Sequence, residues 1–235
     1  MNRDELRNRP IAGAPEVRTR TGVEALYPTE PSGGTWIACN RCGILLALLN
    51  WNDKTRSESV PPKTRSRGLL IPELIAASTF EAAAGIFERS GLHGILPFRL
   101  VGFFVNEKAV AEWSWDGMQR ELHTLPWSLA HWFSSSLSDQ AAAEQRGTAC
   151  EAAAIRPGFG TRRSLRLLHA SHIPAAGPFS VCVHRPDAAT VSYTEVVCGK
   201  RSLTMRYVPG NPCRKSQPHE ISESALDRGI PSKAA

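Results

Sequence analysis

The feature that most constrains the fold is an apolar segment at residues 33–50, with the sequence GGTWIACNRCGILLALLN. Its runs TWIACN and ILLALLN lie on either side of a short turn at Asn40–Gly43, which predicts a β-hairpin. The second run is apolar at consecutive positions, as in a strand that is covered on both faces. We therefore expect a sheet with further layers packed against it.

Two cysteines, Cys39 and Cys42, lie at this turn as a CxxC pair. A metal site of this type normally has a second pair of ligands at similar spacing, and the other four cysteines (150, 182, 198 and 213) show none. We interpret the pair as small apolar residues beside a turn, and we predict no metal site. Free, reduced thiols are then the default, as in a cytoplasmic protein.

The patterns after the hairpin predict an α+β fold with antiparallel sheets. Two helices, at 69–77 and 78–90, have one apolar face each and are the natural cover for the sheet. The first holds Pro72 in its first turn, and the second begins with a capping box formed by Ser78 and Glu81. Strands and helices do not alternate, which disfavours a doubly wound parallel sheet. The further predicted elements are a hairpin at 98–105 and 110–117, a strand at 121–125, a helix at 139–154, a hairpin at 177–185 and 189–197, and a last strand at 203–210.

Two segments lack a clear pattern. Residues 6–32 are polar and interrupted by prolines, and we expect a loop with little regular structure. From Asn211 onward the chain is polar without hydrophobic periodicity. We therefore expect one domain over residues 1–208 and a disordered C-terminal tail over 209–235.

Charge and hydropathy limit the classes of partner and the cellular locations that we expect for the protein. The net charge is +6, but the cations are scattered and aromatic residues are only 7% of the chain, so we predict a small-molecule ligand and no nucleic acid. No apolar run approaches the roughly 20 residues of a transmembrane helix. The first ten residues carry five charges and do not resemble a secretory signal, so we expect a cytoplasmic protein.

Several motifs together resemble a known family. They are MNRDELRNRP (1–10), GGTWIACNRCGILLALLN (33–50), SRGLLIPELI (66–75), RPGFGTRRS (156–164) and SVCVHRPDAATVSYTEV (180–196). The chain is similar, over residues 1 to about 208, to the NRDE family of transport-and-Golgi-organisation-two-like proteins. More distantly it resembles the penicillin V acylase and bile-salt hydrolase group. This resemblance implies an N-terminal-nucleophile-hydrolase-like fold, an αββα sandwich of two antiparallel sheets between helical layers.

The resemblance also implies site residues. Arg3 and Asp4 match the pair that positions a catalytic nucleophile, and Asn50 matches the oxyanion site of the acylase group. Each has a structural alternative. Arg3 and Asp4 are equally explained as a structural ion pair that locks the loop after the first strand, and Asn50 as a turn residue at a strand end.

The sequence departs from the family pattern in three places. Family members carry about one strand before the NRDE motif, beginning with the candidate cysteine, and we expect a start codon upstream of Met1. The segment Ser134–Ser136 lies where acylase-like proteins have an Asn. The later basic residue of the group has three candidates here, Arg162, Arg163 and Arg185.

The resemblance implies two functions from different classes. The first is a ligand-binding or trafficking role with haem or an acyl-thioester lipid, without hydrolysis by the chain as written. The alternative is an amidohydrolase that acts on a linear amide bond with an upstream N-terminal cysteine; a structural relative that has lost its chemistry is the third reading. Seven histidines offer axial ligands for haem, and basic segments at 54–67 and 162–166 offer contacts to an anionic ligand.

Overall fold

In the computed structural model, residues 1–52, 64–173, 175–214 and 220–228 are described. Their strands form two antiparallel sheets, one with the order β2-β3-β4-β5-β6-β7-β8 and one with the order β1-β9-β10-β11. The strands are β1 (Asn2–Leu6), β2 (Glu16–Arg20), β3 (Val23–Tyr27), β4 (Ile37–Asn40), β5 (Ile44–Asn50), β6 (Phe98–Phe104), β7 (Ala109–Trp115), β8 (Arg120–Leu125), β9 (Ala188–Cys198), β10 (Ser202–Pro209) and β11 (Ser222–Asp227).

Helices cover the outer faces of both sheets. They are α1 (Leu70–Leu74), α2 (Phe80–Arg89), α3 (Asp139–Ala154) and α4 (Arg162–His169), and a 3-10 turn at Arg67–Leu69 precedes α1. Helices α1 and α2 bury Leu74 and Phe87 in a core shared with Leu46 and Trp113 of the seven-stranded sheet. None of the helices among the described residues has the length and apolarity needed to cross a bilayer.

The two sheets pack face to face. Leu26 and Cys39 of the seven-stranded sheet share a buried cluster with Leu203, Met205 and Leu226 of the four-stranded sheet. Helix α4 lies against the other face of the four-stranded sheet, where Arg166 bonds Glu195 and His169 stacks on Tyr193. This order of layers, helix, sheet, sheet and helix, confirms the predicted α+β fold with antiparallel sheets.

The hairpin at 33–50 is confirmed as β4 and β5, and the side chain of Asn40 holds its turn. The Asn40 Oδ1 accepts hydrogen bonds from the backbone N–H groups of Cys42 and Ile44, at 3.0 and 3.1 Å. Its Nδ2 donates to the carbonyls of Ile75 and Ala77, both at 2.7 Å, which ties the turn to the end of α1. Because the oxygen and the nitrogen of this fully buried amide both have hydrogen-bond partners, its burial leaves no polar atom unsatisfied.

The prediction of a loop over residues 6–32 is wrong, because β2 and β3 form a hairpin there with Thr21 and Gly22 at its turn. Both turn residues have positive φ, 48° and 81°, as a two-residue hairpin turn requires. Four of the five β2 residues are exposed, since β2 is an edge strand. An exposed edge strand shows no apolar alternation, so the sequence pattern does not reveal it.

The predicted strand at 177–185 is also wrong. Within residues 177–185 the structure shows one isolated bridge to β9, from His184 to Ala189, with hydrogen bonds between Val183 and Thr190 beside it, and no continuous strand. Strand β1 pairs with residues 188–193 of β9 on one side, and β10 pairs with residues 192–198 on the other, which leaves the preceding segment only a short edge at the start of β9.

The strand at 203–210 is not the last one. Strand β11 follows at Ser222–Asp227 and pairs along the length of β10, within the segment predicted to be disordered. Its single buried apolar residue, Leu226, gives too weak a pattern to predict a strand.

The N-cap of α2 also differs from the prediction by one residue. Thr79, rather than Ser78, accepts the hydrogen bond from the backbone N–H of Ala82, at 3.1 Å.

Candidate functional site

A cavity of about 910 Å³ opens beside β1, between the two sheets and the helices α3 and α4. Its walls come from β1, β5, β6, β9, α3, α4 and the segments 64–68 and 129–134. Arg3, Asp4 and Asn50 all line it. The fold thus brings Arg3 and Asp4 of the first strand to the same cavity as Asn50, which lies at the end of β5.

Arg3 is buried and points toward the seven-stranded sheet. Its guanidinium lies over the Trp36 ring, with the central carbon 4.5 Å from the ring centroid. The same group makes ion pairs with Glu30 and, at 3.3 Å, with Glu5. Arg3 therefore joins the first strand to the segment that precedes β4.

Asp4 follows Arg3 in β1, so its side chain lies on the opposite, helical side of the sheet, where it meets Arg146 of α3. A register shift interrupts the pairing of β1 with β9 between Arg3 and Asp4. Its Oδ1 accepts a hydrogen bond of 2.6 Å from the Thr190 hydroxyl, and its Oδ2 lies 3.3 Å from a guanidinium nitrogen of Arg146. Burial raises the pKa of Asp4 above its usual value, while Arg146 and Thr190 act in the opposite direction.

Arg3 and Asp4 consequently have separate partners, and their ion pairs are with Glu30, Glu5 and Arg146 rather than with each other. This arrangement holds both side chains in place at the cavity wall. Such fixed charges can orient a polar ligand, because the side chains do not reorganise when it arrives.

Asn50 is exposed at the end of β5. Its Oδ1 accepts a hydrogen bond of 2.6 Å from Nη1 of Arg67, whose Nε donates to the Leu96 carbonyl at 3.3 Å. Burial lowers the pKa of the Arg67 guanidinium, and Glu5 acts in the opposite direction. Asn50 thus positions a cation at the cavity, and its assignment to an oxyanion site stays a prediction.

Sequence reasoning did not find Arg146 or Thr190, whereas Arg67 belongs to the basic segment 54–67 that it offered as a contact to an anionic ligand. Arg146 carries a signal in retrospect, because it is the one basic residue in the alanine-rich helix α3, and it is buried. A lone buried arginine requires an anionic or carbonyl partner, here Asp4 and the Ser134 carbonyl at 3.2 Å. Thr190 shows no signal that distinguishes it from an ordinary strand residue.

The three candidates for the later basic residue lie away from the cavity lining as far as the structure is described. Arg162 and Arg163 are exposed at the start of α4. Arg185 forms an ion pair with Asp187 and donates a hydrogen bond of 3.0 Å to the Ser136 hydroxyl.

Ser134, of the predicted segment Ser134–Ser136, does line the cavity, and its hydroxyl accepts a hydrogen bond of 3.2 Å from Asn52. Of the basic segment 54–67, residues 54–63 lie outside the described part of the chain.

Histidine and thiol groups also reach the cavity. His131, His169 and Cys150 line it. Burial lowers the pKa of His169 well below its usual value, which keeps the imidazole neutral, and burial raises the pKa of the Cys150 thiol. A neutral imidazole can bind a metal centre, whereas a thiol with a raised pKa is a poor nucleophile. His219 lies outside the described residues.

Comparison with known proteins gives one family and one similar fold. A model of the family described as "Transport and Golgi organisation 2" matches residues 1–152. No curated protein matches the chain. Among solved structures, the chain is similar to penicillin V acylase from Agrobacterium tumefaciens, with a TM-score of 0.44 and 13% sequence identity. That similarity covers 80% of this chain and 66% of the acylase chain.

Proposed function

The chain belongs to the transport and Golgi organisation 2 family, and on that premise we propose that its cavity binds a small molecule with an apolar body and an anionic group, such as a long-chain acyl thioester. The role is one of ligand binding or trafficking in the cytoplasm, without hydrolysis of the ligand. Three properties of the cavity support this proposal: its size, its apolar walls and the neutral hydrogen-bond partners of Arg67.

The cavity has the size and the walls for such a ligand. Its volume of about 910 Å³ lies within the range of roughly 300–1,000 Å³ that is common for ligand pockets. Side chains from β5, β6 and α4 supply apolar surface on several sides of the cavity. They include Leu45, Leu49, Val101, Phe103, Leu165 and Leu168. An acyl chain gains free energy when it transfers from water to such a surface.

The proposal rests mainly on the surroundings of Arg67. The other deeply placed charges of the cavity already have opposite charges beside them, as in the pairs of Arg3 with Glu30 and of Asp4 with Arg146. Within the described residues, Arg67 forms no ion pair: it donates its hydrogen bonds to neutral oxygens of Leu96 and Asn50, and Glu5 acts on its pKa only through the longer-range charge interaction. A partly desolvated cation with neutral partners is complementary to a phosphate or carboxylate.

The experiment is a titration of the purified protein with palmitoyl-CoA, followed by the fluorescence of Trp36 and Trp132, which line the cavity. We expect saturable binding. The variant Arg67→Met should bind about 10- to 100-fold more weakly, since a hydrogen bond to a charged group contributes about 1.5–3 kcal/mol. The matched control is Arg89→Met, which removes an exposed arginine on α2, beyond the opposite face of the seven-stranded sheet.

Absence of binding, or equal weakening in the two arginine variants, would contradict the proposal. The same samples are assayed for release of free CoA thiol. Release far above the rate in buffer would show that the protein is a hydrolase rather than a carrier. Saturable binding without release is the expected result.

Haem is the second candidate ligand. His131 and His169 line the cavity, and the His169 Nδ1 is buried and has no hydrogen-bond partner within the described residues. A neutral, unpartnered imidazole nitrogen is available to an iron centre. A shifted Soret band that disappears in His169→Gln, with no binding of palmitoyl-CoA, would favour haem over the acyl thioester.

A further inference from the structure

Four metal-ligating side chains from three separate segments meet outside the cavity. They are His172, which follows α4, Cys182 and His184, which precede β9, and Cys213, which follows β10. One ligand atom from each lies within 4.8 Å of all the others. Cys182 is buried and the other three are half-buried.

The two sulfur-to-nitrogen separations at His184 match those between the ligands of one tetrahedral ion, and the separation between the two imidazole nitrogens is slightly shorter. Bonds of about 2.05 Å to imidazole nitrogen and about 2.3 Å to thiolate sulfur, at tetrahedral angles, place neighbouring ligand atoms about 3.3–3.8 Å apart. The Nε2 of His184 lies 3.0 Å from the Nε2 of His172. It lies 3.4 Å from the Sγ of Cys213 and 3.7 Å from the Sγ of Cys182.

Hydrogen bonding alone does not account for this group. The Nε2 of His184 has three polar neighbours, yet an imidazole nitrogen offers either one lone pair or one N–H. At most one of the three contacts can therefore be a full hydrogen bond. An ion at the centre would accept one lone pair from each of the four residues, so the three neighbours of His184 Nε2 would no longer compete for one hydrogen bond.

We propose that His172, Cys182, His184 and Cys213 bind a Zn²⁺ ion in a closed, tetrahedral Cys2His2 site. Two thiolates and two neutral imidazoles are the ligand set that Zn²⁺ prefers, and on binding the two thiols release their protons. The two thiolate charges neutralise the ion, so the filled site carries no net charge beside the neighbouring cations Arg7 and Arg214. With all four positions taken by protein ligands, the site is structural rather than catalytic.

The ion holds a segment between α4 and β9 whose described residues form neither helix nor strand. This segment supports the first strand. The Val181 carbonyl accepts a hydrogen bond of 2.7 Å from Asn2, and the N–H of Val183 donates to the Thr190 hydroxyl at 2.8 Å, which in turn bonds Asp4. The zinc site thereby stabilises the wall of the cavity at a distance from it.

Metal analysis of the purified protein, kept reduced with a phosphine, tests the proposal. We expect one zinc per chain by mass spectrometry of the metal. Replacement of zinc by Co²⁺ should give the absorption bands of a tetrahedral cobalt ion, with thiolate-to-cobalt charge transfer. Cys182→Ser and Cys213→Ser should each lose stoichiometric zinc. The matched control Cys198→Ser, which changes an exposed cysteine outside the group, should keep it.

The cobalt spectrum of the unaltered protein keeps the test decisive if the cysteine variants fail to fold. Reduced, folded protein that takes up neither Zn²⁺ nor Co²⁺ overturns the proposal. A disulfide between Cys182 and Cys213 that persists in the protein as isolated from cells, found by mass spectrometry of its peptides, overturns it as well. Equal zinc loss in Cys198→Ser would also refute the assignment of the ligands.

Discussion

Asp4 shows how a single residue makes the cavity sensitive to pH. Burial raises its pKa above the ordinary value of 3.8, although Arg146 and Thr190 oppose the shift. The folded protein therefore binds this proton more tightly than the unfolded chain does. In the pH range from 3.8 up to the folded pKa, the free energy of unfolding should consequently decrease as pH rises.

Replacement of Arg146 by Met removes the opposing cation and should raise the pKa of Asp4 further. We expect Arg146→Met to lower the free energy of unfolding by about 2–4 kcal/mol at pH 7, because the buried ion pair loses one partner. Part of that loss should be recovered at pH 4, where Asp4 takes up its proton in the folded state. Urea unfolding curves over a range of pH measure both effects.

Two further variants control this experiment. Adding Asp4→Asn to the Arg146→Met background should remove the difference between pH 4 and pH 7. Arg156→Met, an exposed arginine just after α3, should change stability by less than about 0.5 kcal/mol. An equal loss at both pH values in Arg146→Met would show that Asp4 and Arg146 are not coupled.

At the scale of the elements, β11 is a strand that one apolar side chain attaches to the core. Leu226 is buried between the sheets with Leu203 and Met205, whereas its neighbours Ala225 and Asp227 are exposed. The pairing of β11 with β10 satisfies the backbone groups along that edge of the four-stranded sheet. Most of the attachment energy of the strand should therefore come from Leu226.

We expect Leu226→Ala to lower the free energy of unfolding by about 2–4 kcal/mol, through lost apolar contact and the cavity that remains. Amide hydrogen exchange should show the loss of protection in β10 and β11 before the rest of the molecule. Asp227→Asn, on the same strand and exposed, is the matched control, with an expected change below about 0.5 kcal/mol. If Leu226→Ala were as stable as the control, β11 would not be part of the packed core.

At the scale of the whole molecule, Arg3 is a polar link between the two sheets. It belongs to the four-stranded sheet, but its stacking and ion-pair partners, Trp36 and Glu30, precede β4 in the seven-stranded sheet. Arg3 and Glu30 keep only 9% and 15% of their side chains exposed. Removal of one member leaves a mostly buried charge without its partner.

We expect Arg3→Met to lower the free energy of unfolding by about 3–5 kcal/mol, with a substantial part recovered in Arg3→Met combined with Glu30→Gln. A double-mutant cycle measured by urea unfolding gives the coupling between the two residues. The pair Arg206 and Glu223, 3.6 Å apart and more exposed, serves as the control and should show a coupling below about 1 kcal/mol. Comparable coupling in both pairs would mean that burial does not strengthen the link.

Local patterns predicted the parts of the fold that repeat over short distances. The hairpin around Asn40, the helices α1 to α3 and the strands β6 to β8 all follow from apolar periodicity and turn residues that lie within one segment. The edge strand β2 and the strand β11 were missed, because a strand with one exposed or weakly apolar face carries little periodicity. The buried strand β3 was missed as well, because its five residues lie in a polar segment interrupted by prolines. The strand predicted at 177–185 failed for a different reason, since β9 pairs with the distant strand β1 on one side and with the following strand β10 on the other.

The sequence by itself determined the family and the layered α+β class, because motifs such as those around Arg3 and Asn40 are contiguous, and local physics decides turns and helices. Only the tertiary structure decided which residues meet. Arg146 reaches Asp4, Arg67 reaches Asn50, and His172, Cys182, His184 and Cys213 converge from three segments. Such contacts depend on how distant segments pack, and a charge or a thiol in the sequence does not specify its partner until the sheets and helices have brought the two together.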